Sequence, residues 1–406
     1  MRYMHKLFHE YTSKDFEDEY SKRNNYASTV HLNLFIKPIK QPNIYELYYV
    51  PAERMLHLVE DVYMVSQKLN VVFGELPGVA KKQFINECIA DELYNTNELE
   101  GVKSSREEIV KSTKDILLNK NTYKRFESMI TSYLGLLTGN YNLLKTALEV
   151  RKIYDDITRG EIENTELPDG EIFRKEITHI LKKSGTGKVI HLGVTPESEI
   201  ISLLEKLLQF MNGAKVPNII RAAIGHYYFG YIHPFYDGNG RTSRFISSMY
   251  LAKTLGNIPA LSLSRGCNKY RDNYLEAFEY TNSIRSRGEM NGFIEVFLEI
   301  ILETLVQMEV ELKEKSQLLD MASKKLEDEP KLQHRDESYK EIMFILAQNH
   351  FFDSVRGFTI NDLAVALDKS QATIRKLIKD LLALSLIEQK GERPAYYYIR
   401  ERYFEE

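Results

Sequence analysis

The stretch His233–Arg244, HPFYDGNGRTSR, combines a glycine-rich loop with the start of a helix, and the rest of the chain can be placed relative to it. Its residue types predict a tight loop whose backbone N–H groups stay unpaired at the helix N-terminus. Such N–H groups bind anions, because they point outward at the positive end of the helix dipole. We therefore expect an anion site at Gly238, Asn239 and Gly240, with Asn239 suited to a left-handed conformation.

The charged residues of this stretch are of the types that displacement at a phosphorus atom requires. Arg241 and Arg244 are three residues apart, so a helix places both guanidinium groups on one face beside the loop. Asp237 is a hard oxygen ligand suited to Mg²⁺, and His233 has an ordinary pKa near neutrality. Each residue alone more often has a structural role. Their combination in one short stretch predicts a site for transfer of a phosphorus-containing group.

The stretch resembles the HPFx[D/E]GNGRxxR core of the Fic (Fic/Doc) family of nucleotidyl transferases and matches it at every specified position. The resemblance implies a mainly α-helical catalytic domain over residues 81–305 that transfers AMP from ATP to a serine, threonine or tyrosine hydroxyl of a protein, including the enzyme itself as a possible target. It implies that His233 is the general base, that Asp237 holds Mg²⁺, and that the loop and both arginines bind the phosphates. Tyr274 and Asn282 align with positions of the adenine pocket.

A helix predicted over about residues 82–101 ends at Gly101, and Glu100 lies at its C-terminus, where the helix dipole disfavours a carboxylate. A basic partner would explain this placement, although a chance surface position is the commoner origin of a lone glutamate. Residues 96–101, TNELEG, resemble the [S/T]xxxE[G/N] inhibitory motif of the same family. The resemblance implies a self-inhibited class in which Glu100 pairs with Arg244 and occupies the place of the γ-phosphate, a natural geometry for carboxylate and guanidinium.

Residues 173–196 alternate polar and apolar side chains, which predicts a β-hairpin with its tip at Ser184, Gly185, Thr186 and Gly187. By the family resemblance this hairpin is a flap that holds the target segment as an added strand over the site. A hairpin with a structural role alone is the alternative.

The remaining segments are predicted to be an N-terminal extension (1–80), a helical linker (306–337) and a winged helix-turn-helix domain (338–406). The last has the order helix, helix, helix, strand, strand, which is typical of DNA-binding modules. Its ten Lys and Arg residues are balanced by ten Asp and Glu residues, so it has no net charge, whereas DNA-binding domains are usually basic. Contact with DNA and contact with another protein both stay open, as does a homodimer.

Composition limits the class of protein. The 406 residues are 43% hydrophobic and 28% charged, with a net charge of −4, as expected for a globular protein with no general attraction to nucleic acid or membranes. The N-terminus has no apolar signal-like segment, and Cys88 and Cys267 have no metal-ligand spacing, so we expect a cytoplasmic protein. An adenylyltransferase is favoured over a nucleotide-responsive DNA-binding regulator because a sensor needs no general base. Removal of AMP from a modified protein is a further alternative.

Overall fold

The computed structural model describes residues 1–117, 125–181, 189–213, 215–352 and 357–404, and it is mostly helical with small antiparallel hairpins. The mainly α fold class is therefore confirmed. The chain divides into two compact units, one formed by Met1–Gln67 with Ile89–Val306 and the other by Lys68–Cys88 with Gln307–Glu406. The predicted boundaries of the four segments and the winged-helix assignment stay predictions.

The helices and strands follow one another along the chain as α1 (Met4–Leu7), α2 (Ser13–Asn24), β1 (Val30–Ile36), β2 (Tyr45–Tyr49), α3 (Glu53–Glu75), α4 (Gly78–Glu100), α5 (Arg106–Leu117), α6 (Glu127–Leu137), α7 (Ala147–Thr158), β3 (His179–Leu181), β4 (Val189–Leu192), α8 (Glu197–Gly213), α9 (Asn218–Ile232), α10 (Asn239–Leu255), α11 (Leu263–Lys269), α12 (Arg271–Thr281), α13 (Asn291–Glu327), α14 (Ser338–Phe352), α15 (Ile360–Leu367), α16 (Gln371–Ala383), β5 (Ile387–Lys390) and β6 (Tyr396–Ile399).

The core of the first unit is built around α9 and α10, which pack on each other. Nearly every residue of both helices is buried, because α6, α7 and α8 cover their remaining faces. A helix that is buried all round is held by tertiary packing and has little freedom to move. The loop between α9 and α10 therefore has a rigid support on both sides, and this loop is the start of the HPFYDGNGRTSR stretch.

The small sheets of the first unit are the pairs β1–β2 and β3–β4. In β1–β2, Val30 pairs with Tyr49 and Ile36 pairs with Tyr45, and alternate residues of β1 are buried. In β3–β4, His179 pairs with Leu192 at the base of the hairpin. The predicted hairpin is thus present, whereas its predicted tip at 184–187 lies outside the described residues.

The N-terminal segment is anchored to the first unit by a buried carboxylate. Glu289 accepts hydrogen bonds from the backbone N–H of Met4 at 2.7 Å and from Arg23 Nη1 at 2.6 Å. Arg23 and Glu289 are both almost completely buried, and loss of either partner would leave an uncompensated charge, which costs about 3–5 kcal/mol. Residues 1–67 of the predicted extension are therefore part of the first unit, whereas residues 68–80 belong to the second.

The second unit contains α14, α15 and α16, followed by the hairpin β5–β6, in the order predicted for residues 338–406. A capping box between Thr359 and Asp362 starts α15, and Ser370 caps α16. The inward face of α16 is apolar, as its i, i+3, i+4 spacing predicts, with buried Ile374, Leu377, Ile378 and Leu381.

Within the described ranges, no helix combines the length and the apolar character needed to cross a membrane.

Candidate active site

The site begins where α9 ends at Ile232, because the next residue, His233, takes a left-handed conformation with φ 53°. Its N–H still donates to the carbonyl of Phe229 at 2.9 Å, and its own carbonyl accepts from Arg174 Nε at 2.9 Å. A left-handed non-glycine residue costs about 1–3 kcal/mol and persists where its surroundings hold it. The backbone of His233 is thus fixed from both sides, which sets the direction of its half-buried imidazole.

Asn239 closes the loop with its side chain. Its Oδ1 accepts from the N–H of Phe235 at 2.9 Å, and its Nδ2 donates to the carbonyl of Phe235 at 2.8 Å. The sequence suggested Asn239 as the left-handed residue of the loop, but the positive φ values belong to His233 and Gly238 (φ 78°). The asparagine amide is better placed as a cross-link, because it can accept from the N–H and donate to the C=O of the same residue.

The glycines of the loop leave room above the N-terminus of α10. Gly238 is the residue before the helix and, as a glycine, has no side chain with which to cap the first turn. A Cβ at Gly240 would collide with the carboxylate of Glu100 and would lie 2.9 Å from Nη1 of Arg244. An anionic oxygen therefore approaches this backbone closely, and in this structure that oxygen belongs to Glu100.

Arg244 is buried and is held by the last turns of α4. Its Nη2 donates to Glu100 Oε1 at 2.7 Å and to the carbonyl of Thr96 at 3.2 Å, while its Nε donates to Thr96 Oγ1 at 2.8 Å. Burial disfavours the charged guanidinium, but the charge and hydrogen bond of Glu100 outweigh it and raise the pKa of Arg244. The structure thus brings together the residues that the inhibitory motif and the core motif predicted to meet.

Arg241 lies on the same helical turn and is also buried, yet its bonding is very different. Its Nη2 is 3.4 Å from Asp237 Oδ2. Its Nε and Nη1 have no hydrogen-bond partner among the residues that the structure describes. Buried polar groups are nearly always paired, so each orphaned donor requires an explanation. A phosphate oxygen is the acceptor that would satisfy two guanidinium donors at once.

Asp237 is the candidate metal ligand. Its side chain is 46% exposed, and its Oδ1 accepts from the N–H of Gly238 at 2.6 Å. Across the described residues, no group of three or more His, Cys, Asp or Glu side chains could hold a metal ion. This donor set fits Mg²⁺, which usually takes one or two carboxylates and completes its octahedron with phosphate oxygens and water.

The His233 imidazole is in an environment that keeps it neutral. Burial, His191 and Arg174 lower its pKa to about 3, and the negative charge of Glu100 opposes them. Because the folded pKa is below the ordinary value, the ring carries no proton on its second nitrogen at neutral pH. It can therefore accept a proton from a hydroxyl group.

The two residues predicted for the adenine pocket are both buried in the first unit. The hydroxyl of Tyr274 is 2.7 Å from His226 Nε2, and burial raises its pKa. Asn282 is the residue that follows α12, and its side chain accepts from the hydroxyl of Tyr227 at 2.6 Å. Their role in binding adenine stays a prediction.

The sequence reasoning missed a buried carboxylate, Glu92, on the same face of α4 as Thr96 and Glu100. Glu92 accepts from the N–H and hydroxyl of Ser264 at 2.9 and 2.6 Å. Burial raises its pKa to about 7, and the bonds from Ser264 and the charge of Arg244 oppose that shift. The i, i+4, i+8 spacing of these α4 residues was a usable signal for one shared face.

The sequence reasoning also missed Arg174, whose buried guanidinium contacts the carbonyl of His233. A lone arginine at the start of a predicted hairpin carries no local signal of burial, because arginine is usually exposed.

Comparison with known proteins shows which family and which solved structures this chain is similar to. Residues 146–251, which run from the cap of α7 into α10, match the model of the Fic/DOC family. A Fic family protein from Desulfovibrio desulfuricans G20 is similar in structure at 15% identity with a TM-score of 0.50, covering 87% of this chain and 98% of that one.

Two further structures are similar over a smaller part of this chain. A Fic domain containing signaling protein from Bacteroides thetaiotaomicron VPI-5482 has 17% identity, a TM-score of 0.42, and coverage of 62% of this chain and 97% of that one. A Fic-1 fragment from C. elegans has 16% identity, a TM-score of 0.43, and coverage of 62% and 71%. The glycine loop, His233 and both arginines fall inside the matched range, and the chain therefore contains a Fic/DOC family domain over residues 146–251.

Proposed function

We propose that this protein is an adenylyltransferase that transfers AMP from ATP to a serine, threonine or tyrosine hydroxyl of a protein. Fic domains typically transfer nucleotide-derived groups onto proteins. The observation that carries the proposal is the buried guanidinium of Arg241, whose Nε and Nη1 have no partner in the described part of the chain. Each buried donor left without an acceptor costs about 1–3 kcal/mol, so an anionic ligand that accepts from both nitrogens is the expected partner.

The chain's own residues have complementary roles in this reaction. The target hydroxyl attacks the α-phosphorus, the bond to the bridging oxygen breaks, and pyrophosphate leaves. His233 accepts the proton of the hydroxyl, and the negative charge of the bound triphosphate raises the low pKa of its imidazole toward the working pH. Arg241 stabilises charge on the β-phosphate, and the backbone N–H groups of the first turn of α10 bind phosphate oxygens. Bound at Asp237, Mg²⁺ would neutralise charge on the phosphates.

We further propose that Glu100 inhibits the reaction from within the chain. Its carboxylate contacts Arg244 and covers Gly240, so a γ-phosphate cannot bind at either position. Two unit charges about 4 Å apart at an effective dielectric of about 20 attract by roughly 4 kcal/mol before desolvation is subtracted. A quarter to a half of that energy would weaken ATP binding by about fivefold to thirtyfold.

The decisive experiment is transfer of label from α-labelled ATP, with wild type compared with Glu100→Gly. Removing the carboxylate frees Arg244 without changing the catalytic loop, so we expect labelling of lysate proteins and of the enzyme itself to rise by about tenfold or more. Chelation of divalent metal should abolish the labelling of both proteins.

Glu98→Gly is the matched control, because it introduces the same helix-weakening residue in the same turn of α4 without touching Arg244. An equal gain in this control would mean that loosening the helix end, and not loss of the carboxylate, causes activation. Unchanged labelling in Glu100→Gly would contradict the proposed inhibition by Glu100. If Glu100→Gly instead lost the ability to release AMP from a modified protein, the AMP-removal alternative would be favoured.

A further inference from the structure

Arg174 is a fully buried arginine in the segment before β3, and within the described residues its hydrogen-bond acceptors are backbone carbonyls. Its Nε donates to His233 at 2.9 Å, its Nη1 to Glu176 at 2.5 Å, and its Nη2 to Val194 at 2.9 Å and Ile232 at 3.5 Å. Burial lowers its pKa to about 10, so the guanidinium is charged at neutral pH. Burial of a charge without an ion pair is costly, and the contribution of this residue is the geometry that its donors impose.

The acceptors of Arg174 come from different parts of the site. Ile232 ends α9 and His233 begins the catalytic loop. Glu176 precedes β3, and Val194 follows β4. The backbone of Val194 also donates to the carbonyl of Ile232 at 3.1 Å. The side chain of Arg174 therefore joins the backbone of His233, the candidate base, to both ends of the β3–β4 hairpin.

Gly193, which follows β4, leaves the space that the guanidinium of Arg174 occupies. Gly193 has no side chain, and a Cβ there would collide with Nη2 of Arg174 and with Oγ1 of Thr178. Its N–H donates to the carbonyl of Thr178 at 3.0 Å, which keeps the base of the hairpin closed around the guanidinium. The close approach therefore depends on a glycine at this position.

We propose that Arg174 is a positioning residue that holds the backbone of His233 and both ends of the β3–β4 hairpin in one fixed arrangement, so that a target hydroxyl lying along the hairpin meets the imidazole. This inference rests on the proposed adenylyl transfer. Misplacement of reacting groups by about 1 Å can lower the rate on the order of a hundredfold. A rigid link between base and target therefore keeps the transfer rate high.

Lysine cannot replace this link. The guanidinium presents five N–H donors in a planar fork, whereas an ammonium presents three donors from a single nitrogen and cannot reach all of these carbonyls. Arg174→Lys keeps the charge and loses the fork, while Arg174→Gln loses both. The pair of variants therefore separates geometry from electrostatics.

The electrostatic part concerns the groups that face His233, namely Arg174, His191 on β4 and Glu100 at the end of α4. The positive charge of Arg174 disfavours the imidazolium form, so its removal should raise the pKa of His233. The acid limb of the activity profile should then lie at higher pH in Arg174→Gln than in Arg174→Lys, measured between about pH 4 and pH 8. A residue that only stabilised the fold would not separate the two profiles.

The experiment measures single-turnover self-labelling by α-labelled ATP in the Glu100→Gly background. Arg174→Lys and Gly193→Ala should each lower the transfer rate by about a hundredfold, while the affinity for ATP changes by less than about threefold. Lys175→Gln is the matched control and should match the parent, because Lys175 is the exposed neighbour of Arg174. Thermal unfolding identifies the folded variants.

A second readout does not depend on activity. Amide hydrogen exchange at His233 and Val194 should quicken in Arg174→Lys, and an NMR titration should show a raised His233 pKa in Arg174→Gln alone. If the Glu100→Gly parent transfers no label, the proposed function fails, and exchange and titration still decide the positioning role. A folded Arg174→Lys variant with parental rate, or with parental amide exchange, would overturn the inference.

Discussion

Arg241 and Arg244 lie on the same turn of α10, are both buried, and have opposite bonding. Arg244 donates three hydrogen bonds to Thr96 and Glu100, which belong to the end of α4. Arg241 has a 3.4 Å contact with Asp237, and two of its nitrogens have no partner within the described ranges. The difference arises from what packs over each side chain, because both side chains begin on one helix only three residues apart.

The comparison shows a phosphate site that is closed at one end and open at the other. At the Arg244 end, a carboxylate of the chain itself supplies the negative charge. At the Arg241 end, the side chain of Asp237 is half exposed and leaves most of the guanidinium unsatisfied. Under the proposed function, the open end binds the β-phosphate, and the closed end excludes the γ-phosphate until Glu100 moves away.

The largest expected effect separates binding from chemistry. In the Glu100→Gly background, His233→Ala should lower label transfer by about 10²- to 10⁴-fold, since general base catalysis typically contributes that much. Equilibrium binding of labelled ATP should stay nearly unchanged, because both arginines and the loop remain. Comparable transfer by this variant would show that His233 is not the base.

A smaller expected effect comes from substitutions that compare Arg241 at the open end with Arg244 at the closed end. Arg241→Ala in the Glu100→Gly background should lower transfer by about 10²- to 10³-fold through loss of charge stabilisation. Arg244→Ala in the wild-type background should not activate the enzyme, because it removes the partner of the γ-phosphate together with the inhibitory contact to Glu100. Activation by Arg244→Ala equal to that of Glu100→Gly would mean that Arg244 has no part in binding the γ-phosphate.

The smallest expected effect tests the hydrogen bond between Arg244 and Thr96 at the closed end of the site. Thr96→Val removes the hydroxyl that accepts from Arg244 Nε while keeping the shape of the side chain. Loss of a hydrogen bond to a charged group is worth about 1.5 kcal/mol, so labelling should rise by up to about tenfold. Thr113→Val is the matched control, because its hydroxyl bonds the carbonyl of Ile109 within α5. Labelling that rises equally in both variants would assign the effect to general destabilisation.

Much of the fold and of the site could be predicted from sequence because the relevant signals are local. The apolar period of α16 and the end of α4 before Gly101 each depend on residues a few positions apart. The same is true of the loop, since glycine spacing and the arginine pair on one turn follow from backbone geometry.

Other features depend on contacts between distant residues, for which no local pattern exists. The left-handed residues of the site loop are His233 and Gly238, and Asn239 is used as a cross-link instead. The burial of Arg174 and Glu92 likewise follows from the elements that cover them.

The sequence by itself determined which residue types form the site and which helix carries them, because these depend on short-range spacing. The tertiary structure decided that Arg244 meets Glu100 across 144 residues of chain, that Arg241 stays open, and that Arg174 joins the hairpin to His233. The physical reason is that hydrogen bonding of a buried guanidinium is set by whichever carbonyl or carboxylate the packed fold brings within about 3 Å of it.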